Sequence, residues 1–306
     1  MKKSDYDLVI IGGGPAGLTA GLYASRAKLN AVLFERLMPG GQVLVTDLVE
    51  NYPGFPEGIS GSDLVQKMAD QAKKFGLVIE SDEVVSLDLA GEIKTIKFSN
   101  RTVTAKAVII ATGASPRRLN VPGEDVFYGR GVSFCATCDG PFFRDKIVVA
   151  AGGGDTAVQE SIFLTKFAKK VYLIHRRDQL RATKILQERA FANDKIEFVW
   201  DSAVTSISGS DGVEKVTVKN LKSGNTRDLA ADGVFVWIGI LPNTEFLKNA
   251  VKTDQSGFII TDSNMQTSVP GVFAAGDVRN TPLRQIATAI GDAAIAAISA
   301  EHYIEG

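Results

Sequence analysis

Apolar and polar positions repeat one pattern twice along the chain. Near the start, the apolar run DLVII leads into glycines, then into AGLTAGLYASRA, and then into a second apolar run, AVLFE. Short unbroken apolar runs are typical of strands that are buried on both faces of a parallel sheet. The small residues between them predict a helix. This stretch therefore predicts a strand, a helix and a second strand, which together form a βαβ unit.

The same order returns 140 residues further on, where KIVVAA predicts a strand, a helix follows a glycine turn, and KVYLIH predicts the next strand. Gly-x-Gly-x-x-Gly between strand and helix is the dinucleotide fingerprint, because glycines let the backbone approach a pyrophosphate at the helix N-terminus. One such motif is a weak signal, but two in this context are a strong one. The motif residues are Gly12, Gly14 and Gly17 in the first copy, and Gly152, Gly154 and Ala157 in the second.

The residues expected at the ribose differ in charge between the two copies. Glu35 ends the second strand of the first copy, where an acid accepts hydrogen bonds from ribose hydroxyls. The equivalent position of the second copy is His175, followed by Arg176, Arg177 and Arg181. A carboxylate repels a 2′-phosphate, whereas each arginine can pair with it for about 1.5–3 kcal/mol. The first copy is therefore predicted to bind FAD or NAD, and the second to prefer NADPH over NADH by about a hundredfold or more.

The only two cysteines of the sequence, Cys135 and Cys138, lie in SFCATCDG. They could be half of a metal site, a structural disulfide or a redox pair. Zinc needs four protein ligands, or three and a water, and His175 and His302 are both distant in sequence. Two cysteines are also too few for the disulfide framework of a secreted domain. In a reducing compartment the spacing favours a redox pair over a structural bridge, and no metal is expected.

Length, composition and charge indicate the class of protein but not the reaction. A chain of 306 residues predicts two domains, and 30 glycines suit nucleotide-binding loops. A formal net charge of −1 gives no general attraction to nucleic acid or to an anionic membrane. The first apolar run, LVII, is too short for a signal peptide, and no apolar stretch is long enough to span a membrane. We therefore expect a cytoplasmic protein.

A flavin and a nicotinamide in one chain imply hydride transfer, and a Cys-x-x-Cys between them implies that the electrons finish on a disulfide. At this point the chain resembles the low-molecular-weight, bacterial-type thioredoxin reductases. The departures are modest: Leu180 stands where an aromatic residue is common, and Pro282 lies in the loop before Arg284. The resemblance runs over nearly the whole chain and rests on GGGPAGLTA, GGQ, ENYPGFP, ATGASPRRLNVPGE, CATCDG, GGGDTA, HRRDQLRA, GVFAAGDV and RQIATA, in this order.

The resemblance implies an α/β protein with two Rossmann-like, three-layer (ββα/βαβ) nucleotide-binding domains, of pyridine nucleotide-disulfide oxidoreductase class II. Residues 1–114 and 245–306 would form the FAD-binding domain. Residues 115–244 would form the NADPH-binding domain that carries the Cys-x-x-Cys. The chain crosses between them at TGASPRR and GILPNT, which contain glycine and proline. The family also implies a homodimer and a rotation of the inserted domain about these crossings.

The resemblance further assigns roles to individual residues. Cys135 would attack the disulfide of thioredoxin, Cys138 would lie nearer the flavin, and Asp139 would transfer protons, although an acid there can also be a turn or cap residue. The FAD contacts would come from Gly12, Gly14, Pro15, Ala16, Glu35, Gly41, Gln42, Asn51, Ala111, Thr112, Gly113, Gly276, Asp277, Arg284, Gln285 and Ile286. The NADPH contacts would come from Gly152, Gly154, Asp155, Thr156, His175, Arg176, Arg177 and Arg181.

Four other functions fit less well. The related peroxiredoxin-reducing flavoprotein has an extra N-terminal region, whereas the flavin strand here is expected from Asp7. The related ferredoxin–NADP reductase lacks the Cys-x-x-Cys. A reductase fed by ferredoxin, or one that acts on another dithiol, remains an alternative, although these tend to lose the arginine cluster. A dinucleotide-sensing module that is not an enzyme would lack a flavin that NADPH can bleach.

Overall fold

The computed structural model describes residues 4–46 and 48–306, and the chain divides into two compact units. Unit 1 comprises Met1–Ser115 and Leu241–Gly306, and unit 2 comprises Pro116–Ile240. The helices are α1 (Pro15–Arg26), α2 (Gly61–Lys74), α3 (Ala136–Asp139), α4 (Asp155–Leu164), α5 (Lys184–Phe191) and α6 (Ile286–Glu305).

The strands follow the alternation of apolar runs and turns along the sequence. In chain order they are β1 (Tyr6–Ile11), β2 (Ala31–Glu35), β3 (Val78–Ser81), β4 (Ser86–Asp88), β5 (Lys94–Lys97), β6 (Thr102–Ile110), β7 (Ala114–Pro116), β8 (Val132–Ser133), β9 (Ile147–Gly152), β10 (Lys170–Ile174), β11 (Ile196–Val199), β12 (Ser202–Ser208), β13 (Lys215–Asn220), β14 (Thr226–Ala230), β15 (Gly233–Trp237), β16 (Ile240–Pro242) and β17 (Val272–Ala274).

Unit 1 is built on a sheet in which β3, β2, β1 and β6 run parallel, in that order. The long strand β6 pairs with β5 along its first half and with β17 along its second half. Successive residues of β1 enter different cores: Leu8 and Ile10 pack with α1 and α6, whereas Val9 and Ile11 pack on the opposite face. Both faces of β1 are therefore covered, which explains its unbroken apolar sequence.

Small residues let α1 and α6 lie close to the sheet and to each other. Pro15 occupies the first turn of α1, where its missing N–H costs nothing. The buried side of α6 consists of alanines at helical spacing, from Ala289 to Ala300. At its start, the Gln285 side chain accepts from the Thr288 backbone while the Thr288 hydroxyl accepts from the Gln285 backbone. This cap fixes the turn through Arg284 and Gln285 into the first turn of α6, where the motif RQIATA lies.

Unit 2 repeats the nucleotide-binding topology in a parallel sheet with the order β11, β10, β9, β15 and β8. On one face, α4 and α5 cover an apolar core; on the other lies the antiparallel sheet β12, β13 and β14. The predicted fold, an α/β protein with two Rossmann-like domains, is confirmed. The connecting strands β7 and β16 pair with each other. Within the described ranges, no helix is both long and apolar enough to cross a membrane.

Candidate active site

The glycine loop of unit 1 lies at the carboxyl ends of the parallel strands, where ligands bind in open α/β sheets. Gly12 has a φ of +106°, and a Cβ at this residue would lie 2.4 Å from the carbonyl oxygen of Ala111, at the end of β6. A Cβ on Gly276, which follows β17, would lie 3.0 Å from the Cβ of Ala16. Three segments that are distant in sequence therefore meet at one edge of the sheet.

Glu35 holds the glycine loop through its carboxylate. Its Oε2 accepts the N–H of Gly13 at 2.7 Å, and its Oε1 accepts the N–H of Leu37 at 3.1 Å. Each carboxylate oxygen has a second acceptor site, so both can still accept from ribose hydroxyls. The acid at the end of β2 thus shapes the loop and remains available to a ligand.

Further residues expected to contact FAD are tied to one another or to neighbouring loops. The side-chain amide of Asn51 donates to Oε1 of Gln285 at 2.8 Å, across 234 residues of sequence. The side-chain amide of Gln42 donates to the carbonyl of Ala114 at 3.2 Å. The remaining members of this set lie at the same elements: Pro15 and Ala16 begin α1, Gly41 begins a short 3-10 helix, Thr112 and Gly113 follow β6, and Ile286 begins α6.

Asn243, which is not among the predicted site residues, holds the first crossing in place. Its side-chain amide donates to the carbonyl of Thr112 at 2.8 Å, its own carbonyl accepts the Thr112 hydroxyl at 2.8 Å, and its Oδ1 accepts the Ser115 hydroxyl at 2.6 Å. The sequence LPNT of the second crossing places an asparagine directly after a proline, which predicts a turn. It does not predict that Asn243 would bind Thr112.

Asp292, also outside the predicted set, holds the turn that carries Asp277. Its carboxylate accepts the N–H of Gly276 at 3.2 Å and lies 3.4 Å from the guanidinium of Arg279. Burial raises the pKa of Asp292, and the charge of Arg279 opposes this rise. A lone acid in the apolar run of α6 was a signal in the sequence that this side chain has a partner.

Asp277 is a buried acid whose charge interacts with that of Arg284, and Arg284 has a buried donor without a partner. Burial raises the pKa of the Asp277 carboxyl, while the nearby charge of Arg284 opposes the rise. The guanidinium of Arg284 lies over the ring of Phe258 at 4.0 Å, and its buried Nε has no hydrogen-bond partner among the described residues. A buried donor without a partner is costly, so a ligand acceptor is expected here.

In unit 2, the second glycine loop lies at the ends of β9 and β10. A Cβ on Gly152 would lie 2.4 Å from the carbonyl oxygen of Trp237, and a Cβ on Gly153 would lie 2.3 Å from Nδ1 of His175. The backbone N–H of Arg181 donates to the carbonyl of Gly153 at 2.7 Å. The segment that carries the arginines is therefore attached directly to the glycine loop. Of the remaining predicted residues, Gly154 caps α4, and Asp155 and the exposed Thr156 begin it.

His175 is buried beside three cationic side chains. Burial lowers the pKa of the imidazole, and the positive charges of Arg181, Arg176 and Arg177 lower it further. The ring is therefore neutral near pH 7, since its ordinary pKa is already about 6.5. Its Nε2 is buried and has no hydrogen-bond partner within the described part of the chain.

The three arginines themselves, Arg176, Arg177 and Arg181, are exposed. Lys222 lies 3.2 Å from the carboxylate of Asp178 and 3.0 Å from that of Asp201, so these two acids near the arginine segment pair with a lysine. For the residues that the structure describes, no salt bridge joins the three arginines to a carboxylate. Their charge is free to attract an anion.

Cys135 and Cys138 form a disulfide at the start of α3, with Cα atoms 5.4 Å apart. The backbone N–H of Cys138 donates to Sγ of Cys135 at 3.0 Å, and the N–H of Asp139 donates to the Cys135 carbonyl at 3.2 Å. An amide that points at a sulfur stabilises the thiolate form of that sulfur once the disulfide is opened. Cys138 is exposed, whereas Cys135 and Asp139 are half-buried. Across residues 4–46 and 48–306, no cluster of three or more His, Cys, Asp or Glu could hold a metal ion.

The backbone and packing of the fold do not require glycine at Gly14 or Gly154, whereas a bound dinucleotide would. Gly14 has a φ of −71° and Gly154 a φ of −92°, which any residue adopts. A Cβ at either position would meet no atom of the described chain within 4 Å. The open space beside both glycines is where the fingerprint places a pyrophosphate. The residues present therefore suit one dinucleotide in each unit.

Replacing Gly14 by alanine is expected to leave the fold intact and to weaken FAD binding by at least about tenfold, because the added methyl group occupies space that the ligand needs. Gly17→Ala is the matched contrast, since its Cβ would lie 1.8 Å from the carbonyl of Gly12 and should destabilise the protein itself. Flavin absorbance after gel filtration and the melting temperature separate the two effects. Full FAD retention by Gly14→Ala would show that the loop does not contact the cofactor.

Comparisons with known proteins agree with this geometry. Residues 6–293 match the family model described as pyridine nucleotide-disulphide oxidoreductase. The chain is 49% identical to a thioredoxin reductase of Peptoclostridium acidaminophilum, covering 98% of this chain and 97% of that protein. It is 48% identical to the thioredoxin reductase of Bacillus subtilis, covering 99% and 96%. A crystal structure of Lactococcus lactis thioredoxin reductase, 44% identical, superposes with a TM-score of 0.97 over 98% of this chain and 99% of that one.

Proposed function

Because the chain belongs to the pyridine nucleotide-disulphide oxidoreductase family, among its thioredoxin reductases, we propose that the residues described above carry electrons from NADPH to the disulfide of oxidised thioredoxin. The observation that carries this proposal is the combination of two nucleotide loops with opposite charge at the ribose and one disulfide. Glu35 and the arginines after β10 suit different dinucleotides, and Cys135–Cys138 supplies an electron acceptor in the same chain.

Members of this family bind FAD and depend on NADPH. When bound, NADPH supplies a hydride and FAD accepts it and reduces a disulfide, which is the redox chemistry that protein side chains lack. The chain's own residues would hold these groups. In unit 1, Glu35, Asp277 and Arg284 offer acceptors and a donor to FAD. In unit 2, the cations and the neutral His175 offer donors to the phosphate and ribose of NADPH.

The reduced cysteine pair would then act by thiol–disulfide exchange. The thiolate of Cys135 attacks one sulfur of the thioredoxin disulfide, forms a mixed disulfide and releases the other sulfur as a thiolate. The thiolate of Cys138 next attacks Cys135 Sγ, which re-forms Cys135–Cys138 and releases the second thioredoxin thiolate. Two protons end on the thioredoxin thiols, and the half-buried Asp139 is placed one residue from Cys138 to exchange them. The pair thus returns to its oxidised state.

The order of the two cysteines rests on the family resemblance, which assigns Cys135 to thioredoxin and Cys138 to the flavin. The exposures in the disulfide form would favour the opposite order, since Cys138 is exposed to a partner and Cys135 is half-buried. The amide of Cys138 at Sγ of Cys135 supports Cys135 as the more stable thiolate. Attack by Cys135 therefore stays part of the proposal.

Three further properties follow from the family and belong to the same proposal: a homodimer, a cytoplasmic location, and a turning of the inserted unit about β7 and β16 during the cycle. The alternative donor is ferredoxin. Exposed arginines beside the second nucleotide loop favour NADPH, because ferredoxin would deliver electrons without needing a 2′-phosphate site.

A turnover assay with purified thioredoxin tests the proposal. The protein should be yellow, and NADPH should bleach its flavin under anaerobic conditions. With catalytic amounts of protein, NADPH oxidation followed at 340 nm should then continue only while oxidised thioredoxin is present. A colourless protein, or NADPH oxidation that is independent of thioredoxin, would contradict the proposed function.

A further inference from the structure

One face of β15 contacts the chain on both sides of the redox disulfide. Gly233, Phe235 and Trp237 alternate along this strand and so share a face of the sheet. Phe143, which follows the redox helix, lies over the first two: a Cβ on Gly233 would come within 2.3 Å of its ring, and the centroids of Phe143 and Phe235 are 5.3 Å apart. The glycine therefore makes room for an aromatic ring that anchors the end of the redox segment.

Trp237 anchors the beginning of the same segment. Its ring stacks on Phe235 with centroids 5.6 Å apart and an interplanar angle of 22°. Its indole Nε1–H donates to the carbonyl of Phe134 at 3.1 Å, and Phe134 directly precedes Cys135. The peptide that leads into the redox pair is therefore held by a side chain 103 residues away in the sequence.

Trp237 also contacts the nucleotide loop of unit 2. It is paired with Gly152 at the end of β9, and its carbonyl oxygen is the atom that a Cβ on Gly152 would approach at 2.4 Å. One residue thus joins the loop expected to bind NADPH to the peptide that precedes Cys135.

The neighbouring polar groups of this peptide are already fixed. The buried hydroxyl of Ser133 accepts the N–H of Cys135 at 3.0 Å and lies 3.2 Å from the carbonyl of Cys135, to which it can donate. With both backbone groups of Cys135 engaged by Ser133, the carbonyl of Phe134 is the group that depends on Trp237. Loss of the indole N–H should loosen this one peptide and leave the rest of the segment in place.

We propose that Trp237 is a positioning residue for the redox pair, and that its bond to Phe134 favours the closed Cys135–Cys138 disulfide over the open dithiol. Closing a disulfide requires both sulfurs at bonding distance, so a fixed Cys135 peptide raises the effective concentration of one thiol toward the other. The inference rests on the proposed function only in that the pair is opened and closed during turnover.

The test compares two tryptophan substitutions in the flavin-loaded protein. Trp237→Phe keeps the stacking on Phe235 and removes the N–H donor. Trp200→Phe is the matched control, because Trp200 stacks on Phe198 at 5.0 Å and lies edge-on to His175, away from the contacts of Phe134. Trp237→Tyr is a second variant without the indole N–H, in case the phenylalanine variant folds poorly.

Each protein is equilibrated with mixtures of reduced and oxidised dithiothreitol, so that opening one protein disulfide converts one reagent dithiol into its cyclic disulfide. Acid quenching, alkylation and mass spectrometry then count free cysteines, while absorbance at 450 nm follows the flavin separately. Loss of one neutral hydrogen bond should shift the equilibrium constant toward the protein dithiol by about twofold to tenfold.

Trp200→Phe should leave this constant unchanged, and melting temperatures should show that all variants are folded. An unchanged constant in both Trp237 variants, or an equal shift in the Trp200 control, would overturn the proposal. The proposed function can fail separately, because thioredoxin turnover by the unsubstituted protein does not depend on either tryptophan result.

Discussion

Cys135→Ser and Cys138→Ser are each expected to lower the rate of thioredoxin reduction by about a thousandfold or more, because residues that act as one unit lose their function together. Both variants should still bind FAD and still bleach it with NADPH, since neither cysteine belongs to the residues expected to hold the cofactors. Turnover is measured as NADPH oxidation with oxidised thioredoxin, and bleaching as loss of absorbance at 450 nm. Thioredoxin turnover that survived either substitution would refute the exchange mechanism.

The same two variants also test which cysteine attacks thioredoxin. If Cys135 attacks, reduced Cys138→Ser should form a stable mixed disulfide with a thioredoxin that keeps only its attacking cysteine, activated as a mixed disulfide with an aryl thiol, because neither protein then holds a thiol that can reopen the bond. The released aryl thiolate is the leaving group, and Cys135→Ser should form much less of the product. Non-reducing electrophoresis after mixing detects it. A mixed disulfide that accumulates only in Cys135→Ser would reverse the order and would agree with the greater exposure of Cys138.

The second large effect concerns the choice of nicotinamide. Arg176→Ala is expected to lower kcat/KM for NADPH by about tenfold to a hundredfold and to leave kcat/KM for NADH nearly unchanged, because one charge-assisted bond to a phosphate is worth about 1.5–3 kcal/mol. Arg177→Ala and Arg181→Ala should act in the same direction. The measurement is the initial rate of flavin-dependent turnover as a function of each nucleotide.

Arg227→Ala supplies a matched control, since Arg227 is an exposed arginine of unit 2 on β14, outside the predicted cofactor residues. It should leave both nucleotide constants unchanged. If the unsubstituted protein used NADH as well as NADPH, the role given to the arginines would be wrong. If it used neither nucleotide, a ferredoxin-fed reductase would become the better explanation.

Much of the fold was predictable because the two nucleotide-binding units are encoded locally. Buried parallel strands require unbroken apolar runs, and the close approach at Gly12 and Gly152 requires glycine, so both features are visible in the sequence. The strand expected from DLVII is β1, and the one expected from AVLFE is β2. The motif RQIATA, one of those that carry the resemblance, leads into α6, which continues to Glu305.

The supporting residues of the site could not be predicted in the same way, because their partners are distant in sequence. Asn243 holds Thr112 across 131 residues, and Trp237 holds Phe134 across 103. Neither belongs to a motif with fixed spacing, and each contact exists only after the strands have paired. The sequence identifies Cys135 and Cys138 as a pair. Their unequal exposure follows from the way α3 packs against the rest of unit 2.

The central claim is that electrons from NADPH reach Cys135 and Cys138. The most direct measurement mixes the flavin-loaded protein anaerobically with excess NADPH, quenches with acid, alkylates the free thiols and counts the added groups by mass spectrometry. We expect two alkyl groups per chain, on Cys135 and Cys138, and none without NADPH. A bleached flavin with the Cys135–Cys138 disulfide still intact would contradict the account.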